Sequence, residues 1–341
     1  MAPMTRNQSP GGIPTNDVVS YYKRRAEAEV GLIITEGVEV SHKASSAYPN
    51  VPRLDSKKAR DGWKRVVGGI KEHNGAVIAQ LWHCGGFRKL GMAPNPEVPG
   101  HTASGLVRPG KRVAHAMSSD DIKETIDAFA SDAKHCEEIG FDGVEIHGAH
   151  GYLIDNFFWN GTNERKDLYG GSIEKRSQLA ANIVKAIRSN VSDNFIVGLR
   201  FSQWKQQDYE AKLATSSEEL LKVIKQPADA GLDYLHSSMR RFWESEFKGS
   251  DENLAFWTKK LTGLPTISVG SVGLDSDFID MSAPASPRNI DKAISDISNK
   301  KYDIVAVGRA LLADHEWVIK MREGRIKDII PYTKEALFKL Y

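Results

Sequence analysis

Residues 118–152 read SSDDIKETIDAFASDAKHCEEIGFDGVEIHGAHGY. Two periodicities meet in this stretch. Ile122, Ile126, Phe129, Ala133 and Cys136 recur at helical spacing behind a Ser118-Ser119-Asp120-Asp121 start, which offers a cap and negative charge to a first turn. Gly143-Val-Glu-Ile-His147 then forms a β-branched run of strand length. A helix leading straight into a buried strand is the repeating unit of α/β architecture.

The unit recurs along the chain. Further strand-sized runs lie at 31–35, 76–82, 195–200, 232–236, 266–270 and 302–308, and helical spacing occupies 17–29, 57–73, 174–190, 217–230 and 288–299. Apolar strands of this kind belong to parallel sheets covered on both faces. No G-x-G-x-x-G follows a strand, which argues against an open dinucleotide-binding sheet. The 341 residues therefore predict a (β/α)8 barrel, one domain over residues 1–341. An eighth strand has only the stub Met1-Ala-Pro-Met-Thr5, so the first strand is expected to be incomplete. The irregular stretch from about 83 to 117 is too long for a simple connection and is expected to lie over the barrel mouth as an active-site loop.

Composition excludes several classes. With 46 Lys+Arg against 44 Asp+Glu, the whole-chain charge gives no reason to invoke nucleic acid or an anionic membrane. The apolar runs are strand-sized, too short to span a bilayer. Met1–Arg6 contains no apolar signal core, which makes the cytoplasm the expected location. Cys84 and Cys136 are too few for an iron–sulfur cluster or a four-cysteine zinc site and are expected to be reduced thiols. The sequence leaves a homo-oligomer open.

In a barrel, chemistry gathers where strands end. Those ends are Thr5, Thr35, Gln80, His147, Arg200, His236 or Ser237, Gly270 and Gly308-Arg309. Gly270-Ser271 and Gly308-Arg309 follow the last two strands, where barrels often bind phosphate. Glycine admits close backbone approach, and Arg309 adds a planar donor fork; ordinary turns with a surface arginine are the plainer reading. His147-Gly-Ala-His150-Gly-Tyr152 could bind a carbonyl oxygen and deliver a proton, or serve structure. As a metal site the pair lacks a third ligand, His83 being the one obvious distant candidate, so no metal is expected. Glu145 shares a strand face with His147 and is expected to point inward, hydrogen-bonded. Arg200, a cation ending an apolar strand, needs an anionic partner, whether a salt bridge or a ligand.

At these residues the sequence resembles the Old Yellow Enzyme family of FMN-dependent ene reductases. The resemblance runs in family order through Met1-Ala-Pro-Met-Thr-Arg6, Tyr21–Ala26, Ile33–Gly37, Gln80-Leu-Trp-His83, His147–Leu153, Asn163–Ser172, Val197–Arg200, Ser268–Ser271 and Val305–Arg309. It implies that Pro3, Met4 and Thr5 line the flavin, with Thr5 donating to its O4, and that Gly37 and Gln80 contact the isoalloxazine edge. Arg200 is implied beside the flavin N1/O2, and Gly270, Ser271, Gly308 and Arg309 around the FMN phosphate. His147 and His150 are implied on the substrate carbonyl, Tyr152 as proton donor, and Trp82 as either pocket wall or packed aromatic. Asn163–Ser172 is expected to be a structural loop. The implied activity takes hydride from NADH or NADPH and reduces the C=C bond of electron-poor alkenes such as enones. Two other readings are a flavin-free barrel lyase or isomerase acting on a phosphorylated substrate, which needs a lysine or a carboxylate pair at the strand ends and finds neither in the sequence, and an inactive truncated scaffold. The family carries a segment before Ala-Pro-Met-Thr that is absent here, so a truncated start and an unpaired gap at the first strand are expected.

Overall fold

A computed structural model describes residues 1–276, 286, 288 and 290–341. Seven strands form one parallel sheet: β1 Leu32–Glu39, β2 Ala76–Trp82, β3 Gly143–His150, β4 Ile196–Lys205, β5 Tyr234–Ser238, β6 Thr266–Val269 and β7 Ile304–Val305. Each pairs with its sequence neighbour, the order that helical crossovers of one hand produce. The expected gap is filled. Met1 donates to Leu32 O at 2.6 Å and accepts from Ile34 N at 3.1 Å, while Ala2 N donates to Val307 O at 2.8 Å. Two residues thus bond to β1 and to the segment just past β7, closing the ring of a (β/α)8 barrel.

Capping explains where the helices begin. α1 (Asn16–Glu27) and α2 (Lys57–Lys71) start behind Thr15 and Ser56, whose side chains accept from Val18 N and Ala59 N. α3 (Ser119–Ile139) opens on a reciprocal Ser118–Asp121 capping box and stops at Gly140, where φ is 103°. The expected helix over 174–190 is interrupted: Ser177 ends α5 (Ile173–Arg176) and begins α6 (Gln178–Arg188). α4 (Leu153–Phe158), just beyond the His-x-x-His stretch, is an added turn. α7 (Ser217–Asp229) agrees with its apolar spacing, and α8 (Leu254–Thr262) supplies a crossover helix between β5 and β6. Of the expected helix over 288–299, α9 occupies Asp291–Ser298, and Asn289 lies outside the described residues.

Alternation along the strands makes two cores. Residues such as Ile33, Val77, Val144 and Leu199 pack outward against the helices. Ala2, Ile34, Ile78, Tyr234, Ile267 and Ala306 form a separate cluster inside the ring. Gly198 makes room there, since a Cβ on it would lie 2.1 Å from the Tyr234 ring. Several strands run beyond their apolar runs because polar residues at the mouth keep pairing. Thr35 is therefore within β1, not at its end, and Arg200 pairs opposite His147 well before β4 stops at Lys205.

Candidate active site

Inward-facing positions of β2, β3 and β5 meet at Glu145. Its carboxylate accepts from Gln80 Nε2 at 2.7 Å, Tyr234 OH at 3.0 Å and His236 Nδ1 at 2.7 Å. Burial pushes this carboxyl up, but His236, Arg200 and Gln80 outweigh it and hold Glu145 below its ordinary range. Burial also lowers His236, opposed by Glu145. The pair is therefore a carboxylate receiving Nδ1–H from a neutral imidazole. Ser237, the other candidate at this strand end, faces outward and bonds Thr258 at 2.9 Å.

Ser238, one alternation further, joins the next two groups. Its Oγ accepts from Arg200 Nη2 at 3.0 Å and lies 2.8 Å from His150 Nε2. Burial holds His150 well below its usual range, so Nε2 takes the Ser238 hydrogen and the ring proton belongs on Nδ1. Arg200 Nε is buried without a partner, and among the described residues no carboxylate forms an ion pair with it. His150 has φ +64°, a conformation held by a bond from its N–H to Ser202 Oγ (2.9 Å) and by stacking on Trp204 at 4.3 Å. Trp204 and Ser238 are site residues that strand-end reading missed.

His147 stands edge-on to His150, ring centres 5.4 Å apart, and stacks on Trp82 at 5.8 Å. Burial, then Arg200, lowers it to about 3, so the ring is neutral. Ala149 N–H donates to its Nδ1 at 3.3 Å, which leaves Nε2–H as a donor. Tyr152 packs edge-on to Trp82 at 4.8 Å, and its hydroxyl meets the Tyr48 hydroxyl at 3.1 Å. Burial pushes the Tyr152 phenol well above its ordinary value, so it stays protonated. Trp82 also stacks on Tyr48, a residue in a stretch with no periodicity to flag it. Gly37 serves this wall: a Cβ there would lie 2.4 Å from Trp82 Cε3. The structure sets Gly37 against the indole.

Beside these groups a cavity of about 290 Å³ runs from Arg200 and His150 to Gly270, Ser271, Gly308 and Arg309, with Pro3 and Met4 along one side. Thr5 is exposed outside that lining, and Gln80, Gly37, His147, Tyr152 and Trp82 lie outside it as well. Arg309 Nη2 donates to Ser271 Oγ at 3.2 Å. A Cβ on Gly308 would make ordinary contact with Met4 Sδ at 3.5 Å and Ala2 Cβ at 3.9 Å, so this glycine is not required to relieve a clash. Gly270 instead fits under the β5 loop, where a Cβ would lie 2.8 Å from Met239 O.

The 83–117 loop and the 163–172 loop frame the site. Phe87 packs on Tyr152 at 4.5 Å, and Asn156 in α4 fixes the loop through Ala103 N and Leu106 O, both at 2.9 Å. Asn163 Nδ2 donates to Phe157 O and Tyr169 O, which makes 163–172 a self-braced structural loop. Both ring nitrogens of His83 are engaged elsewhere, with His42 and with Gly85 N. Lys205 is a lysine at a strand end, but all its contacts are internal: it pairs with Asp155 at 2.8 Å with both side chains fully buried.

Among the described residues no helix is long and apolar enough to cross a membrane. A model of the NADH:flavin oxidoreductase / NADH oxidase family matches residues 1–328. A probable NADH-dependent flavin oxidoreductase of Bacillus subtilis is 30% identical over 334 residues, covering 96% of this chain and 84% of that protein. The NADH oxidase of Thermoanaerobacter brockii is 31% identical over 340 residues, 96% of this chain but 49% of that protein. A putative 12-oxophytodienoate reductase-like protein of Arabidopsis thaliana is 38% identical over 210 residues, 59% of this chain and 63% of that protein. The chain thus spans about half to two thirds of these last two relatives. In fold it superposes on an old yellow enzyme homologue from Zymomonas mobilis with TM-score 0.81 and 23% identity, covering 99% of this chain and 91% of that one. By the extent of the family match, the chain belongs to the NADH:flavin oxidoreductase / NADH oxidase family.

Proposed function

We propose that this chain, as one domain, binds FMN, takes hydride from NADH or NADPH, and reduces the C=C bond of α,β-unsaturated carbonyl compounds in the cytoplasm. The observation that carries the reading is a cavity ending on two arginines beside two neutral imidazole donors and a protonated phenol. The residues present fit the cofactor: Arg200 has a buried Nε without a protein partner, and Gly308 lines the cavity together with Arg309 and Ser271. Gly270, Ser271, Gly308 and Arg309 would hold the phosphate. Pro3 and Met4 would line the ring system and Arg200 would meet its electron-rich edge, whereas Thr5, Gly37 and Gln80, implied there by the resemblance, lie outside the cavity lining. Bound FMN would supply the two-electron hydride chemistry.

The chain's own groups then act on the alkene substrate. His147 Nε2–H and His150 Nδ1–H hydrogen-bond the carbonyl oxygen and draw electron density from the alkene. Tyr152 holds its proton for the α-carbon, with Tyr48 fixing the direction of the hydroxyl. Trp82 walls the substrate against His147. Lys205 gives no support to a lyase mechanism, because Asp155 and two carbonyls occupy its ammonium.

Purified protein is expected to be yellow, to bleach with NAD(P)H without air, and to recover colour with cyclohexenone. A colourless protein that FMN does not reconstitute overturns the reading.

A further inference from the structure

A second cluster of ligand-type side chains lies away from the cavity, where the 83–117 loop returns to α3. His101-Thr102 and His115-Ala116 form a short parallel bridge with the two histidines opposite each other. Their rings are 4.7 Å apart. Asp121, in the first turn of α3, accepts from His115 Nε2 at 2.8 Å through Oδ2, which also receives Ser118 N and Oγ, each at 2.8 Å. One ligand atom from each of His101, His115 and Asp121 falls within 4.8 Å of the others.

The second, independent observation is at His101. Its side chain is buried, 3% exposed, and its Nδ1 has no hydrogen-bond partner. A buried, unsatisfied ring nitrogen is unfavourable unless something completes it. The neighbouring histidines do not. Gly85 N–H donates to His83 Nδ1 at 3.1 Å, and His83 Nε2 meets His42 Nδ1 at 3.0 Å. That chain places the His42 proton on Nε2, 3.8 Å from Glu124. His42 thus packs on His101 without serving it.

We propose that His101, His115 and Asp121 bind one divalent cation of the zinc class, with water completing a four-coordinate site. Two imidazole nitrogens and one carboxylate oxygen are a donor set for zinc, nickel or cobalt, and a poor one for calcium or magnesium. Ligand atoms about 2.0–2.2 Å from a tetrahedral metal stand roughly 3.4 Å apart, so the set must close around His101 while the 2.8 Å His115–Asp121 hydrogen bond opens and His115 Nε2 gives up its proton. His115 is exposed and held by its side chain only through Asp121, and its ring can swing inward. The cation would fasten two points of the 83–117 loop to the start of α3. The site is structural and does not depend on the proposed reaction.

The test uses the full chain, stripped with chelator, dialysed and titrated with ZnCl2 in a calorimeter, with metal content read by mass spectrometry. One zinc per chain and a raised unfolding temperature are expected. His115→Ala should weaken uptake by more than about 100-fold, beyond the loss typical of supporting residues, with FMN content unchanged. His101→Gln should do the same; if it fails to fold, the surface variant His115→Ala decides alone. His135→Ala, a change outside the cluster, should leave binding intact. Absence of saturable uptake below about 1 mM, affinity retained in His115→Ala, or affinity lost in His135→Ala overturns the proposal.

Discussion

Replacing Lys205 with methionine should remove about 3 kcal/mol of stability, at the lower edge of the roughly 3–5 kcal/mol for breaking a buried ion pair. Lys205 Nζ lies 2.8 Å from Asp155 Oδ1, 2.8 Å from Gln203 O and 3.2 Å from Ser202 O. Methionine keeps most of the volume and strips all three acceptors. Burial, even against Lys205, already pushes Asp155 up to about 6. Without the ammonium it rises further and takes a proton near neutral pH, which avoids the full cost of a bare charge. The sign of the pH effect follows. A carboxyl raised above its unfolded value contributes stability below that value and loses it as pH climbs through the folded one. Because the variant's folded value is higher, its deficit against the parent should be larger at pH 8 than at pH 5. The double variant Asp155→Asn/Lys205→Met should recover most of the loss, since the amide oxygen can still accept from Gly151 N, now 2.6 Å from Asp155 Oδ2. Urea unfolding followed by circular dichroism measures all three proteins. A single variant within about 1 kcal/mol of the parent, or a double variant no better than the single, refutes the reasoning.

Other changes separate chemistry from packing. Tyr152→Phe should slow alkene reduction by about 10²–10⁴-fold while leaving anaerobic flavin reduction by NAD(P)H unchanged, as stopped-flow absorbance would show. Gly37→Ala drives a Cβ to 2.4 Å from Trp82; a loss of about 1–3 kcal/mol and altered tryptophan fluorescence should follow, and an unchanged spectrum would show that the indole does not need the space. Glu36 is pushed up to about 7 by burial, with Arg6 opposing, so it contributes stability below its ordinary 4.5 that is lost as pH rises through about 7. Glu36→Gln should abolish about 3 kcal/mol of the parent's decline in urea titrations at pH 5 and pH 8; parallel profiles would count against it.

The barrel was legible because buried parallel strands must be apolar and β-branched, as Ala76–Trp82 and Gly143–His147 are. Strand ends were less so. Pairing is a backbone property, and polar residues such as Ser202 and Gln203 continue β4 to Lys205 without a continuous apolar run. The His147-x-x-His150-x-Tyr152 spacing survived because three polar rings on one short segment must share a neighbourhood. Ser238 escaped notice since a lone serine carries no pattern, and its role comes from which face it takes one residue past Ser237. Tyr48 and the Asp155–Lys205 pair are long-range contacts, 104 and 50 residues apart in sequence respectively, that local spacing does not encode.

The interior polar network also bears on what the cavity binds. Glu145 receives Gln80, Tyr234 and a neutral His236, three uncharged donors. Its charge is therefore satisfied without an ion pair to Arg200, whose own hydroxyl partner, Ser238, is neutral too. The acid is complete within the protein, and the base retains a buried N–H with no acceptor. Burying a guanidinium in that state is unfavourable unless a ligand finishes it. The cavity runs from this cation to Arg309, so the fold carries positive charge at both ends of one slot while its carboxylate is turned inward and saturated. An elongated ligand with a phosphate at one end and an electron-rich ring edge at the other relieves both ends at once. Its binding energy would therefore also stabilise the barrel.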